Sequence, residues 1–197
     1  MPAAPDRGQA RRPRLLVFFG MIASGKSTLA RAFADRHGFS YYNTDRVRKE
    51  LAGLSATTRC AEGVGQGIYS PAFTARTYQA MLERAREDLR HGRAGVVLDG
   101  SYSRRSERAR VLELAAGLGV EVRFVLCSCS DAEVLRRLEL RARDPQAVSD
   151  GRWEIYLAQK ERFQAPDELR PEQLVRIDTD APPDVLLDRL DVLVPTA

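Results

Sequence analysis

Lysine is nearly absent from this chain of 197 residues: Lys26, Lys49 and Lys160 are all there are, and arginine supplies the rest of the 31 basic side chains. Against 27 acidic side chains the net charge is only +4. That balance suits a protein that binds phosphates and falls short of a dedicated nucleic-acid binder. No apolar run approaches the roughly 20 residues that a membrane-spanning helix needs, and the arginine-rich N-terminus lacks the apolar core of a secretion signal. The three cysteines, Cys60, Cys127 and Cys129, form neither a metal-ligand nor a disulfide pattern, so a reducing, cytoplasmic setting is expected. His37 and His91 each precede a helix-ending glycine and offer no metal or nucleophile pattern.

What the chain does have is 44% hydrophobic residues in short, spaced runs, enough for one α/β domain with its own core. Residues 1–13 read as a loose tail and 14–197 as a single domain. Apolar runs at Leu15–Phe19, Phe39–Thr44, Gly95–Leu98, Val120–Cys127 and Leu174–Ile177 predict five strands. Between them lie predicted helices over Lys26–His37, Arg46–Leu51, a stretch opened by Ser70-Pro71, Arg104–Leu118, a stretch opened by the capping box Ser130-Asp-Ala-Glu133, Arg152–Gln164, and the segment after Pro183. In the third helix Ala75, Tyr78, Leu82, Ala85 and Leu89 recur at helical spacing as one buried stripe. Short apolar strands alternating with amphipathic helices imply a parallel sheet covered on both faces.

One motif carries chemistry. Gly20, Gly25, Lys26 and Ser27 satisfy Gly-x-x-x-x-Gly-Lys-Ser between a strand and a helix. The two glycines let successive backbone N–H groups face a phosphate, and the helix N-terminus adds its partial charge. Lys26 then reaches the β- and γ-phosphates, and Ser27 offers a hydroxyl to Mg²⁺. Ala23, Ser24 and Thr28 complete the expected ATP-binding set. Asp99, closing the third apolar strand, stands where a second carboxylate near Mg²⁺ is wanted.

Asp45 closes the second strand and should face the same crevice, as a base for an acceptor hydroxyl or as a simple helix cap. Arg48, three residues on, would orient it or hold an acceptor phosphate. Arg136, Arg137, Arg141 and Arg143 lie at the exit of a helix before an irregular Pro145–Gly151 segment. Arg137 and Arg141 share a face and suit a mobile lid, at about 137–155, that closes over the γ-phosphate.

The segments GMIASGKSTLA, NTDRVRKEL, GIYSPAFTARTYQAML and VVLDGSYSRRSER together resemble the AAA-type P-loop kinases that occur alone or fused behind an aminoglycoside-phosphotransferase-like domain. The Asp-x-x-Arg of Asp45 and Arg48 is similar to that of polynucleotide 5′-kinase and, more distantly, of zeta-toxin and gluconate kinases. The resemblance implies a nucleoside-monophosphate-kinase-like three-layer α/β/α fold with a helical lid and strand order 2-3-1-4-5. It implies Asp45 as general base, Arg48 on the acceptor side, and lid arginines spaced by four, as Arg137 and Arg141 are. The expected activity is ATP- and Mg²⁺-dependent transfer to a hydroxyl, either a nucleic-acid 5′ end or a small molecule such as a sugar acid. A regulatory ATPase module and a nucleotide-sugar kinase toxin are the alternatives.

Overall fold

The computed structural model describes residues 13–58, 65–144 and 152–195. The proposed tail therefore lies outside the described residues except for its last position, as do Cys60 and the middle of the proposed lid. Five parallel strands form one sheet in the order 2-3-1-4-5: β1 (Arg14–Phe19), β2 (Ser40–Asn43), β3 (Gly95–Asp99), β4 (Glu121–Ser128) and β5 (Leu174–Asp178). The helices are α1 (Lys26–His37), α2 (Thr44–Leu51), α3 (Pro71–Arg90), α4 (Arg105–Leu118), α5 (Asp131–Arg143), α6 (Trp153–Arg162) and α7 (Pro183–Leu193).

Strand β1 shows why the sheet is central. Successive side chains alternate faces, and here both faces are dry. Leu15, Val17 and Phe19 pack with Tyr78, Met81 and Ala85 of α3 and Val111 of α4. Leu16 and Phe18 pack on the other side with Leu29 and Phe33 of α1 and Leu186 and Leu190 of α7. A continuous apolar run is what a strand buried on both faces requires. The stripe on α3 is buried as expected at Tyr78, Leu82, Ala85 and Leu89, but Ala75 faces a cleft instead.

Two helix starts differ from the sequence reading. Helix α2 begins at Thr44, not Arg46, because Asn43 takes the capping position and its side-chain oxygen accepts the N–H groups of Asp45 and Arg46, each at 3.1 Å. Asp45 therefore lies in the first turn of α2 rather than at the end of β2. The capping box opening α5 is half made. Ser130 Oγ accepts from the Glu133 N–H at 3.3 Å, while the Glu133 carboxylate turns to Arg136 and Arg137.

One buried ion pair closes the α4 side of the molecule. Arg108 is fully buried and gives Nε to Glu168 at 2.5 Å and Nη1 to the Tyr102 carbonyl at 2.8 Å. Removing Arg108 would leave the partly buried Glu168 with Arg105 alone, 3.3 Å away, and empty the dry seat of the guanidinium. Arg108→Ala is expected to cost about 3 kcal/mol in urea unfolding; an unchanged midpoint would show that Glu168 finds water without penalty.

Candidate active site

The loop between β1 and α1 is shaped by its glycines. Gly20 has φ 139°, and a Cβ there would stand 2.3 Å from the Cys127 carbonyl oxygen. Gly25 caps α1 with φ 77°, and a Cβ there would meet Arg137 Nη1 at 2.9 Å. Ala23 adopts φ 61°, unusual for a residue with a Cβ. The underside of this loop is dry: Ile22 and Ala23 pack with Val134 and Leu138 of α5 and Tyr156 of α6.

Lys26 reaches back over the loop and donates Nζ to the Met21 carbonyl at 3.2 Å. Burial pushes its pKa down. The carboxylates of Asp99 and Asp45 oppose that, and Arg141 adds to it. An ammonium held in such surroundings is short of anionic partners, which is what a phosphate supplies. Ser27 and Thr28 line the same cleft, which has a volume of about 910 Å³.

Asp99 is fully buried at the end of β3. Its Oδ2 accepts Tyr41 Oη at 2.7 Å and Asn43 Nδ2 at 2.6 Å; its Oδ1 has no hydrogen-bond partner. The parallel register that sets Asn43 opposite Asp99 makes this contact possible. The same asparagine thus caps α2 with its oxygen and holds Asp99 with its nitrogen. Asn43→Ala removes both, and is expected to cost about 2 kcal/mol in urea unfolding. An undiminished stability would mean that neither bond matters.

Because Asn43 does the capping, the Asp45 carboxylate is left for other work. Arg48 Nη1 holds its Oδ1 at 3.0 Å, and the Arg48 guanidinium lies 4.9 Å from the centre of the Tyr69 ring. Arg48 is only 7% exposed, and its Nε is without a partner. Asp45, Arg48 and Lys26 all line the cleft. Tyr69, Tyr78, Ser101 and Tyr102 line the same cleft. Tyr102 has φ 40° and a buried hydroxyl that no protein group satisfies, the kind of unspent polar atom that wants an explanation in a site.

The two arginines four apart on α5 have different surroundings. Arg137 gives Nε to Glu133 at 2.6 Å, Nη1 to the Ala23 carbonyl at 3.2 Å, and Nη2 to the Thr179 carbonyl at 2.6 Å. It braces the phosphate loop from behind. Arg141 instead lines the cleft; burial and Arg137 push its pKa down, against the pull of Asp45 and Asp99. Arg136 pairs with Glu133 at the surface.

Residues 15–166 match the family model described as an AAA domain, AAA_33. The chain belongs to this AAA domain family. Curated relatives are uncharacterized proteins of Mycobacterium tuberculosis (Rv2004c) and Mycobacterium bovis (Mb2027c), each 33% identical over 129 residues, 66% of this chain and 26% of theirs. The chain thus spans about a quarter of the length of the relatives it matches. Among solved structures it is similar to a sugar kinase from Janibacter sp. HTCC2649 (TM-score 0.67, 18% identity, 94% of this chain and 95% of that one). It is also similar to a gluconokinase from Sinorhizobium meliloti 1021 (0.61, 19%, 94% and 93%) and to the Mycobacterium tuberculosis APS kinase in complex with AMPPNP and APS (0.64, 21%, 93% and 98%). These likenesses show the fold: a P-loop, nucleoside-monophosphate-kinase-like α/β/α domain.

For this AAA domain a divalent cation fits the residues present. Ser27 offers a hydroxyl on the cleft wall, and Asp99, buried behind Tyr41 and Asn43 of that wall, offers an oxygen with no hydrogen-bond partner among the described residues. Among the described residues no cluster of three His, Cys, Asp or Glu exists, so such a cation would draw its remaining ligands from phosphates and water, as Mg²⁺ commonly does. No described helix is long and apolar enough to cross a membrane.

Sequence reasoning missed the part played by α6. Arg152, Ile155, Gln159 and Arg162 line the cleft from this helix, and the Ile22 N–H of the phosphate loop donates to Gln159 Oε1 at 2.8 Å. The spacing of three, four and three was there to find, but it joins polar and apolar residues and so leaves no hydrophobic signature. Tyr102 was missed for the reason that a tyrosine with positive φ has no sequence signal.

Proposed function

We propose that this domain binds ATP with Mg²⁺ and transfers the γ-phosphate to a hydroxyl of a small-molecule acceptor. The observation that carries this reading is the release of Asp45 from helix capping. Asn43 does that work, and Arg48 steers the Asp45 carboxylate on the wall of the cleft that Lys26 shares. A carboxylate so placed accepts the proton of the attacking hydroxyl as its oxygen bonds to the γ-phosphorus and ADP leaves.

In this reading the N–H groups from Ala23 to Thr28 cradle the phosphates and Lys26 bridges the β- and γ-phosphates. Ser27 and Asp99 would hold Mg²⁺, which would supply charge neutralisation to the phosphates. Arg141 adds charge at the transferred group, and Arg137 keeps the loop in shape. Arg48 orients the base. The acceptor lies against Tyr69, Tyr78 and Tyr102, in a cleft that also carries Arg104, Arg110, Arg152 and Arg162. Rings and hydroxyls beside guanidinium groups suit an anionic polyhydroxylated small molecule such as a sugar acid, and the sugar kinase and gluconokinase among the structures of the same fold lean the same way.

The test is transfer of labelled γ-phosphate from ATP to a panel of sugars, sugar acids, nucleosides and 5′-hydroxyl oligonucleotides. Label on a sugar acid or related polyol supports the reading. Label only on oligonucleotides overturns the choice of acceptor, and label only as free phosphate across a complete panel moves the domain to the regulatory ATPases.

A further inference from the structure

The peptide unit joining Met21 to Ile22 is gripped at both ends. Its carbonyl accepts Lys26 Nζ at 3.2 Å, and its N–H donates to Gln159 Oε1 at 2.8 Å. No cis peptide bond occurs among the described residues, and in a planar trans peptide the C=O and N–H point in opposite directions. Lys26 and Gln159 therefore stand at opposite edges of one peptide unit, and both line the cleft.

The partner of Gln159 fixes which way its amide lies. A backbone N–H can meet only the oxygen, so the side-chain NH₂, with its two donors, is turned away from Ile22. The helix that carries it is tied to α5 and to the loop through Tyr156 and Lys160. On another face of α6, Tyr156 Oη donates to Asp131 Oδ1 at 2.5 Å, Lys160 pairs with the same carboxylate at 2.7 Å, and Tyr156 is packed among Ile22, Val134 and Leu138. Gln159 is thus a neutral double donor, 137 residues from the loop it touches, lining the same cleft as the lysine assigned to the γ-phosphate.

We propose that Gln159 is the residue by which α6 recognises the terminal phosphate of ATP. This rests on the reading of the Gly20–Ser27 loop as an ATP cradle. The terminal phosphate carries only acceptor oxygens, and an amide NH₂ meets them without competing with Lys26 for charge. When Lys26 swings from the Met21 carbonyl to the phosphates, Gln159 remains to hold the Met21–Ile22 peptide in place. A diphosphate offers nothing at this position, so Gln159 favours ATP over ADP and helps product leave.

The experiment is calorimetric titration of ATP and of ADP, with Mg²⁺, into wild-type protein, Gln159→Glu and Gln159→Leu. Glutamate can still accept the Ile22 N–H but replaces the donor with a negative charge; leucine loses both contacts. The expected result is ATP affinity weakened about 10- to 100-fold in Gln159→Glu, the usual range for losing a hydrogen bond to a charged group. ADP affinity should stay within about threefold. ATP and ADP weakened equally in both variants would overturn the proposal and leave Gln159 a tether between helix and loop. Unchanged affinities would overturn it as well. Failure of the wild-type protein to bind either nucleotide is a separate result, and would remove the ATP cradle itself.

Discussion

Lys26→Ala is expected to abolish measurable phosphoryl transfer, lowering ATP turnover by at least about 10²–10³, the range for removing one preorganised charge-stabilising donor. Two features of the structure set the size of this effect. The ammonium is buried enough for its pKa to be pushed down, and it lies close to Asp99 and Asp45, so removing it leaves carboxylates facing incoming phosphates with less to offset them. It also releases the Met21 carbonyl, slackening the loop that must present its N–H groups. A steady-state assay of ADP release beside wild type is the check. Turnover at the wild-type rate would mean that the loop does not hold a reacting phosphate.

Asp45→Asn is expected to leave ATP binding close to wild type while transfer falls by roughly 10²–10⁴, the range for a positioned general base. The substitution is nearly isosteric, and Asn43 still caps α2, so the helix should stand. Arg48 can still donate to the amide oxygen. What is lost is the negative charge that accepts the proton. Calorimetry for ATP and single-turnover transfer to the identified acceptor separate the two quantities. Equal loss of binding and transfer would make Asp45 a structural residue, and no loss of either would demote it to a bystander in the first turn of α2.

The readable parts of the sequence were those where local chemistry and tertiary role coincide. The loop from Gly20 to Ser27 needs glycines where φ is positive or another backbone comes close, and only a phosphate cradle wants them at that spacing before a lysine. Strands β1 and β3 were legible because both their faces are buried, so Leu15–Phe19 and Val96–Leu98 read as unbroken apolar runs. The start of α2 was harder. Asn43, Thr44 and Asp45 are all capping residues, and the choice among them falls to Asn43, whose nitrogen also bonds Asp99 across the sheet, a partner 56 positions away. Arg137 and Arg141 sit on one helix face by spacing alone. They part because α5 passes the phosphate loop at Arg137 and reaches the cleft only a turn later, and no local pattern encodes where a helix crosses a distant loop. Gln159 was invisible for the same reason: its partner is a backbone N–H, which any sequence supplies.

The double role of Asn43 sets a limit on how this site can change. The carboxylate proposed to take a proton and the carboxylate proposed to serve the metal sit on different elements, yet one short, stiff side chain ties their supports together. Their separation is therefore a fixed dimension of the domain, like the gauge of a track. Variation that suits the cleft to a new acceptor has to run through α3 and the loop around Ser101–Ser103, which carry walls but no share of that joint. A lineage of such domains would be expected to exchange acceptors freely at those walls while keeping an amide at position 43.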